Sequence, residues 1–146
     1  MPILISRCYL NLFAVAVIGA LVVGCGSGGV YPVEGQVVWK DGTPAKNLAG
    51  SLVFFELAEK QTNSRGSIDA EGSFQLTTNK PNDGAPAGEH TVLIIEVGRK
   101  SLGGPDSSNL APSKIDTRYA SPATSDLRAT VKSGRNKVSL TVEPPK

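Results

Sequence analysis

The sequence predicts an all-β protein, an antiparallel Greek-key β-sandwich of about seven strands. Three observations carry this. Short segments alternate apolar and polar residues with a period of two. Turn residues separate them at short intervals. After residue 24 no segment keeps apolar residues at i, i+3, i+4 and i+7 over three turns, so no helix is expected there.

Val33, Gly35, Val37 and Trp39 alternate with Glu34, Gln36, Val38 and Lys40, the pattern of a half-buried strand. Asp41-Gly42-Thr43-Pro44 ends it with turn chemistry. Leu52-Val53-Phe54-Phe55 is an apolar run, as expected of a central strand covered on both faces. Ser64 to Ile68 is a weaker candidate. Asp69-Ala70-Glu71-Gly72 forms a turn before a strand carrying Phe74 and Leu76. Thr91 to Val97 is the clearest alternation. Ala129 to Lys132 and Val138 to Val142 are expected to form a hairpin about Ser133-Gly134-Arg135-Asn136, with Val138, Leu140 and Val142 on one face. Pro144-Pro145 stops pairing.

Residues 98–127 show no strand pattern. Loops this long are uncommon in compact domains. Lys100 to Ser113 is rich in Gly, Ser, Pro and Asn and is expected to be mobile, whereas Ile115, Tyr119, Pro122 and Leu127 are expected to pack on the sheet.

The start of the chain is of another kind. Arg7 is the only charge before Glu34, and Tyr9 to Val23 is apolar except for Asn11. That run is shorter than the roughly 20 residues a bilayer span needs, and it suits the core of a secretory signal peptide, helical in the precursor. Val22-Val23-Gly24-Cys25 resembles the lipobox of bacterial lipoproteins. The resemblance implies diacylglycerol attachment at Cys25 and cleavage between Gly24 and Cys25. Residues 1–24 are then the signal, residues 25–32 a lipidated flexible tether, and residues 33–143 the domain. The expected location is the bacterial cell envelope, with the membrane as a partner through the N-terminal lipid.

Loss of residues 1–24 removes only Arg7 among the charges, leaving 14 basic and 13 acidic groups. A balance near zero without a basic cluster argues against a nucleic-acid partner. Of the two cysteines, Cys8 leaves with the signal and Cys25 is acylated, so the domain is expected to hold without a disulfide.

Four motifs in order resemble the carboxypeptidase regulatory-like domain, a transthyretin-like sandwich (broadly immunoglobulin-like in architecture), as carried by short bacterial lipoproteins. They are Val33-Glu34-Gly35-Gln36-Val37 with Asp41-Gly42-Thr43-Pro44; Asp69 to Leu76, similar to "D-x-x-G-x-F-x-L"; Pro86-Ala87-Gly88-Glu89-His90-Thr91-Val92, similar to "P-x-G-x-Y-x-V"; and Lys114 to Leu127. His90 stands where that family usually has Tyr. The resemblance implies a non-catalytic module for stability, adhesion or ligand contact.

Site chemistry is sparse. His90 is the only histidine. A hydrolase would need it beside a serine and an acid, and no serine lies in a nucleophile-elbow motif. One histidine and no free cysteine leave no His/Cys metal site. Asp69, Glu71 and Asp83 could in principle offer oxygens to calcium, but acids placed for turns is the plainer reading. No cofactor is expected. Tyr31 and Trp39 could form an aromatic platform for a sugar or peptide. Arg99, Lys100 and Arg135 to Lys137 could meet an anionic envelope polymer. Tyr31, Trp39, Arg99, Lys100 and Tyr119 are the candidate contact residues. The expected function is an envelope module making protein–protein or structural contacts, with a carbohydrate- or small-ligand-binding module as the alternative.

Overall fold

Alternation along the chain becomes two packed sheets. The computed structural model describes residues 29–99 and 111–146. The expected signal segment, Gly24, Cys25 and Lys100 lie outside the described residues.

Nine strands are described: β1 (Val30–Tyr31), β2 (Val33–Trp39), β3 (Leu52–Leu57), β4 (Thr62–Ser67), β5 (Ser73–Gln75), β6 (Ala85–Pro86), β7 (Gly88–Ile95), β8 (Arg128–Val131) and β9 (Asn136–Val142). Helical structure there is limited to three short 3-10 turns, and no helix among the described residues is long and apolar enough to cross a membrane. β1 and β6 are two-residue strands that pair only with each other. The other seven build the sandwich, one sheet in the order β5-β2-β9 and the other β4-β3-β7-β8. Val30–Tyr31, assigned from sequence to the tether, is therefore part of the fold.

Inward residues come from both sheets. Val37 and Leu140 from one face Val53, Phe55, Val92 and Ile94 from the other, all buried. The sheets join along one side, where Arg65 and Thr77 exchange backbone hydrogen bonds of 2.9 and 2.8 Å and Asp69 N donates to Ser73 O. At this seam Gly66 is obligatory, since a Cβ there would lie 2.4 Å from Gln75 O.

Three expectations are corrected. The sandwich is not wholly antiparallel: β2 and β9 run parallel, from Val33↔Asn136 to Trp39↔Val142. The expected Ala129–Val142 hairpin does not form. β8 pairs with β7 and β9 with β2, so residues 132–135 arch from one sheet to the other. Leu52–Phe55 is covered on one face only; Val53 and Phe55 are buried while Leu52 and Phe54 are half-buried. An antiparallel sheet can leave its second face toward water.

Asn136 closes the arch. Its Oδ1 accepts from Lys132 N, and its Nδ2 donates to Lys132 O and Gly134 O, each at 2.9 Å. Its backbone N donates to Pro32 O, tying the arch to the start of β2. Asn136→Ala is expected to lower stability by about 1–2 kcal/mol, because it strands the arch's backbone groups. A urea midpoint that falls at unchanged slope would show it. An unshifted midpoint would mean the arch holds without this side chain.

Of the apolar residues expected to pack within 98–127, Ile115, Tyr119 and Leu127 do so, whereas Pro122 is exposed on the outside of a turn. Ser125 anchors this turn by donating to Val92 O at 2.5 Å.

Candidate functional site

Strand register decides which polar side chains become neighbours. Paired residues share a face, so Gln75, Glu34 and Lys137 form one row across the outer side of β5-β2-β9, and Ser73, Gln36 and Ser139 form the next. Beyond β5 the surface continues over the seam onto Arg65 and Ser67 of β4. The loop after β5 adds Pro81 and Asn82 as a wall. The result is an open groove of about 1010 Å³. Its open hydrogen-bonding groups are the amides of Gln75 and Asn82, the hydroxyls of Ser67 and Ser73 and the Arg65 guanidinium, whereas Gln36 Nε2 donates to Glu71 O and Thr77 Oγ1 accepts from Asn82 N. Lys137 is engaged with Glu34 at 3.7 Å. Arg65 is exposed and has no ion pair among the described residues.

The groove wall is built by one carboxylate. Asp83 accepts from the backbone N–H groups of Thr78, Asn79 and Lys80 at 2.7–3.0 Å. Partial burial works to raise its pKa, and the three N–H groups together outweigh that, so the carboxyl sits below its ordinary value.

The residues singled out from sequence are not brought together. Tyr31 lies in β1, just before β2, and Trp39 ends β2, roughly 25 Å away along an extended chain, so they form no common platform. Both are half-buried and pack on the core. Trp39 also borders a separate depression of about 390 Å³ with Lys40, Asp41, Asn47, Lys114 and Pro144. Arg99 donates from Nε and Nη2 to Ala111 O, at 2.9 and 2.5 Å. Its guanidinium is spent on the backbone.

Tyr119 is 1% exposed and belongs to the core, which leaves it no surface for a ligand. Its hydroxyl accepts from Arg118 Nη2 at 2.6 Å and from Glu143 N at 3.2 Å. Arg118 also lies 4.7 Å from the centre of the Tyr119 ring. Glu143 completes this cluster. The hydrogen bond from Lys40, then the charges of Lys40 and Arg118, hold its carboxyl below the ordinary range.

His90 is fully buried, with its ring 5.6 Å from Phe55 and Nε2 2.8 Å from Pro86 O. A substrate cannot reach it. Asp69 and Glu71 share a turn in which Asp69 Oδ1 accepts from Glu71 N and Ser73 N, and Glu71 pairs with Lys46. Asp83 sits at the other end of the sandwich. Among the described residues no three potential metal ligands gather.

The groove residues were not visible in the sequence as a group. They come from five strands and a loop, and only the register makes them adjacent. The chain matches no protein-family model, no curated protein and no solved structure.

Proposed function

We propose that this protein is a non-catalytic, lipid-anchored module of the bacterial envelope that holds another envelope protein along the outer-face groove. One observation carries the reading: the groove spans five strands, is floored by strand backbone, and presents the Gln75 and Asn82 amides, the Ser67 and Ser73 hydroxyls and the Arg65 guanidinium, side chains that make no hydrogen bond among the described residues. Such a surface suits a polar partner segment. The groups capable of catalysis are consumed elsewhere, His90 in the core and the turn acids on backbone N–H groups. The lipobox-like Val22-Val23-Gly24-Cys25 supports the anchor, and the two-sheet fold is compatible with the resemblance to carboxypeptidase regulatory-like domains. A saccharide reading has one observation in its favour, the half-buried Trp39 bordering the depression that it shares with Asp41, Asn47 and Lys114.

The test is site-directed photocross-linking in the envelope from position 75. The expected product is one discrete protein adduct, lost in Arg65→Glu and kept in Trp39→Ala. In the same cells Cys25→Ser is expected to move the protein from the membrane to the soluble fraction. An adduct with glycan that depends on Trp39 would replace the protein reading by the saccharide one. No adduct above background would overturn both, and Cys25→Ser protein still sedimenting with membranes would overturn the anchor.

A further inference from the structure

The two ends of the sandwich differ in how their basic side chains are engaged. One end gathers the start of the described chain at Gly29, the turn of residues 58–61, the loop of residues 78–84 and the arch of residues 132–135. These places follow from the pairing: β2 and β9 both start here, β3 ends here, and β7 begins here. Lys60, Lys80, Lys132 and Arg135 are all exposed at this end, and none has an ion pair among the described residues. The acids nearby are Glu59, Asp83 and Glu89, and Asp83 already accepts three backbone N–H groups. Glu34 neutralises Lys137 just above the arch. At the opposite end Lys40, Lys46 and Arg118 are each paired with a carboxylate, and Lys114 Nζ donates to Asn47 O.

We propose that the end carrying Lys60, Lys80, Lys132 and Arg135 is a docking surface for an anionic lipid bilayer, which holds the sandwich upright on the membrane. This rests on the lipid-anchored reading. If Cys25 carries the lipid, only three residues separate it from Gly29, about 14 Å over the four steps at full extension. The arch is hydrogen-bonded to Pro32, so Lys132 and Arg135 sit beside the tether. The far end lies about 20 Å further along β2, beyond the roughly 8 Å over which charges act at physiological ionic strength. Only the near end feels the surface potential. Acyl chains supply the anchorage, and the basic end supplies orientation, a two-signal arrangement. The groove then opens sideways and Trp39 faces away from the membrane.

The test uses the full chain, made in a bacterial envelope, purified and reconstituted. Intact mass reads acylation at Cys25 separately. Hydrogen exchange across 132–137 is compared on vesicles of phosphatidylcholine alone and of phosphatidylcholine with phosphatidylglycerol. The expected result is slower exchange at the arch on the anionic vesicles only, with the loops 40–47 and 69–72 unchanged. Lys132→Gln with Arg135→Gln is expected to remove that protection and to lower the charge-dependent part of vesicle affinity roughly 20-fold. Equal exchange on both vesicles, or protection indifferent to the double substitution, overturns the proposal. A mass without acyl chains overturns the anchor alone. Cosedimentation of that chain with anionic vesicles in excess of neutral ones would then still support the docking end, and equal cosedimentation would overturn it.

Discussion

Gly35→Val is expected to lower the unfolding free energy by about 3 kcal/mol, enough to drop the melting temperature of a domain this size by roughly 15 °C. Gly35 lies mid-way along the central strand β2, paired with Phe74 on one side and Val138 on the other. A Cβ at Gly35 would lie 2.4 Å from Phe74 Cζ and 2.6 Å from Val138 O. Neither neighbour can give way cheaply. The Phe74 ring is 3% exposed and packs against Phe55 at 6.1 Å, and Val138 O is backbone in the adjacent strand. The ring crosses the strand at the one place where no side chain stands. The double variant Gly35→Ala with Phe74→Leu relieves the ring contact and leaves the carbonyl contact, so it is expected to recover only part of the loss. Urea midpoints of the three proteins decide it. A Gly35→Val midpoint equal to wild type would mean that the ring does not lie across β2. The groove would be affected as well, because Gly35 floors it.

Alternation made the strands and their inward residues legible. Val33 and Val37 are buried as their spacing requires, and so are Leu140 and Val142. Alternation reports which side of a strand faces the core and says nothing about which strand lies beside it. β8 and β9 show why. Both alternate, and Ser133-Gly134 between them has hairpin chemistry. Yet they belong to opposite sheets whose inner faces look at one core, so the same pattern fits an arch. What selects the arch is Asn136, through bonds to Lys132, Gly134 and Pro32. The contact with Pro32 spans more than a hundred residues, and no local rule contains it. The parallel pairing of β2 with β9 follows from the arch, since β9 leaves it in the direction of β2. The run Leu52–Phe55 misled for a related reason. Apolar side chains on both faces suggest cover on both, but Phe54 is half-buried on the outer side.

The candidate site was less legible than the fold. The candidate contact residues in the sequence were of types that commonly bind: a Trp, two Tyr, paired cations. In this fold those types have structural work, Arg99 on Ala111 O and Tyr119 within the core. The groove instead uses ordinary outward positions. Gln36 and Gln75 are unremarkable in their own strands, and they become neighbours of Arg65 and Asn82 only because β5 bends over the seam onto β4.

Tyr119 offers the sharpest separation of a structural role from a binding one. Tyr119→Ala is expected to cost about 3–5 kcal/mol, the range for removing a buried aromatic side chain and leaving a cavity. Tyr119→Phe keeps the ring and removes only the hydroxyl, which accepts from Glu143 N and Arg118. Glu143 N loses its partner at the end of β9, where Glu143 O also receives Asp116 N. The expected cost is about 1–2 kcal/mol. The short 3-10 turn Thr117–Ala120 is pinned to the sandwich largely by this side chain, so hydrogen exchange near Asp116 and Glu143 should rise in both variants. A ligand-contact role predicts the reverse ranking, with stability unchanged and partner capture lost in both. Under the structural role, Tyr119→Phe is only modestly destabilised and should still give the position-75 adduct at wild-type yield. A Phe variant that is fully stable and yet captures nothing would return Tyr119 to the binding surface. A destabilised variant that still captures its partner would place it in the core's service alone.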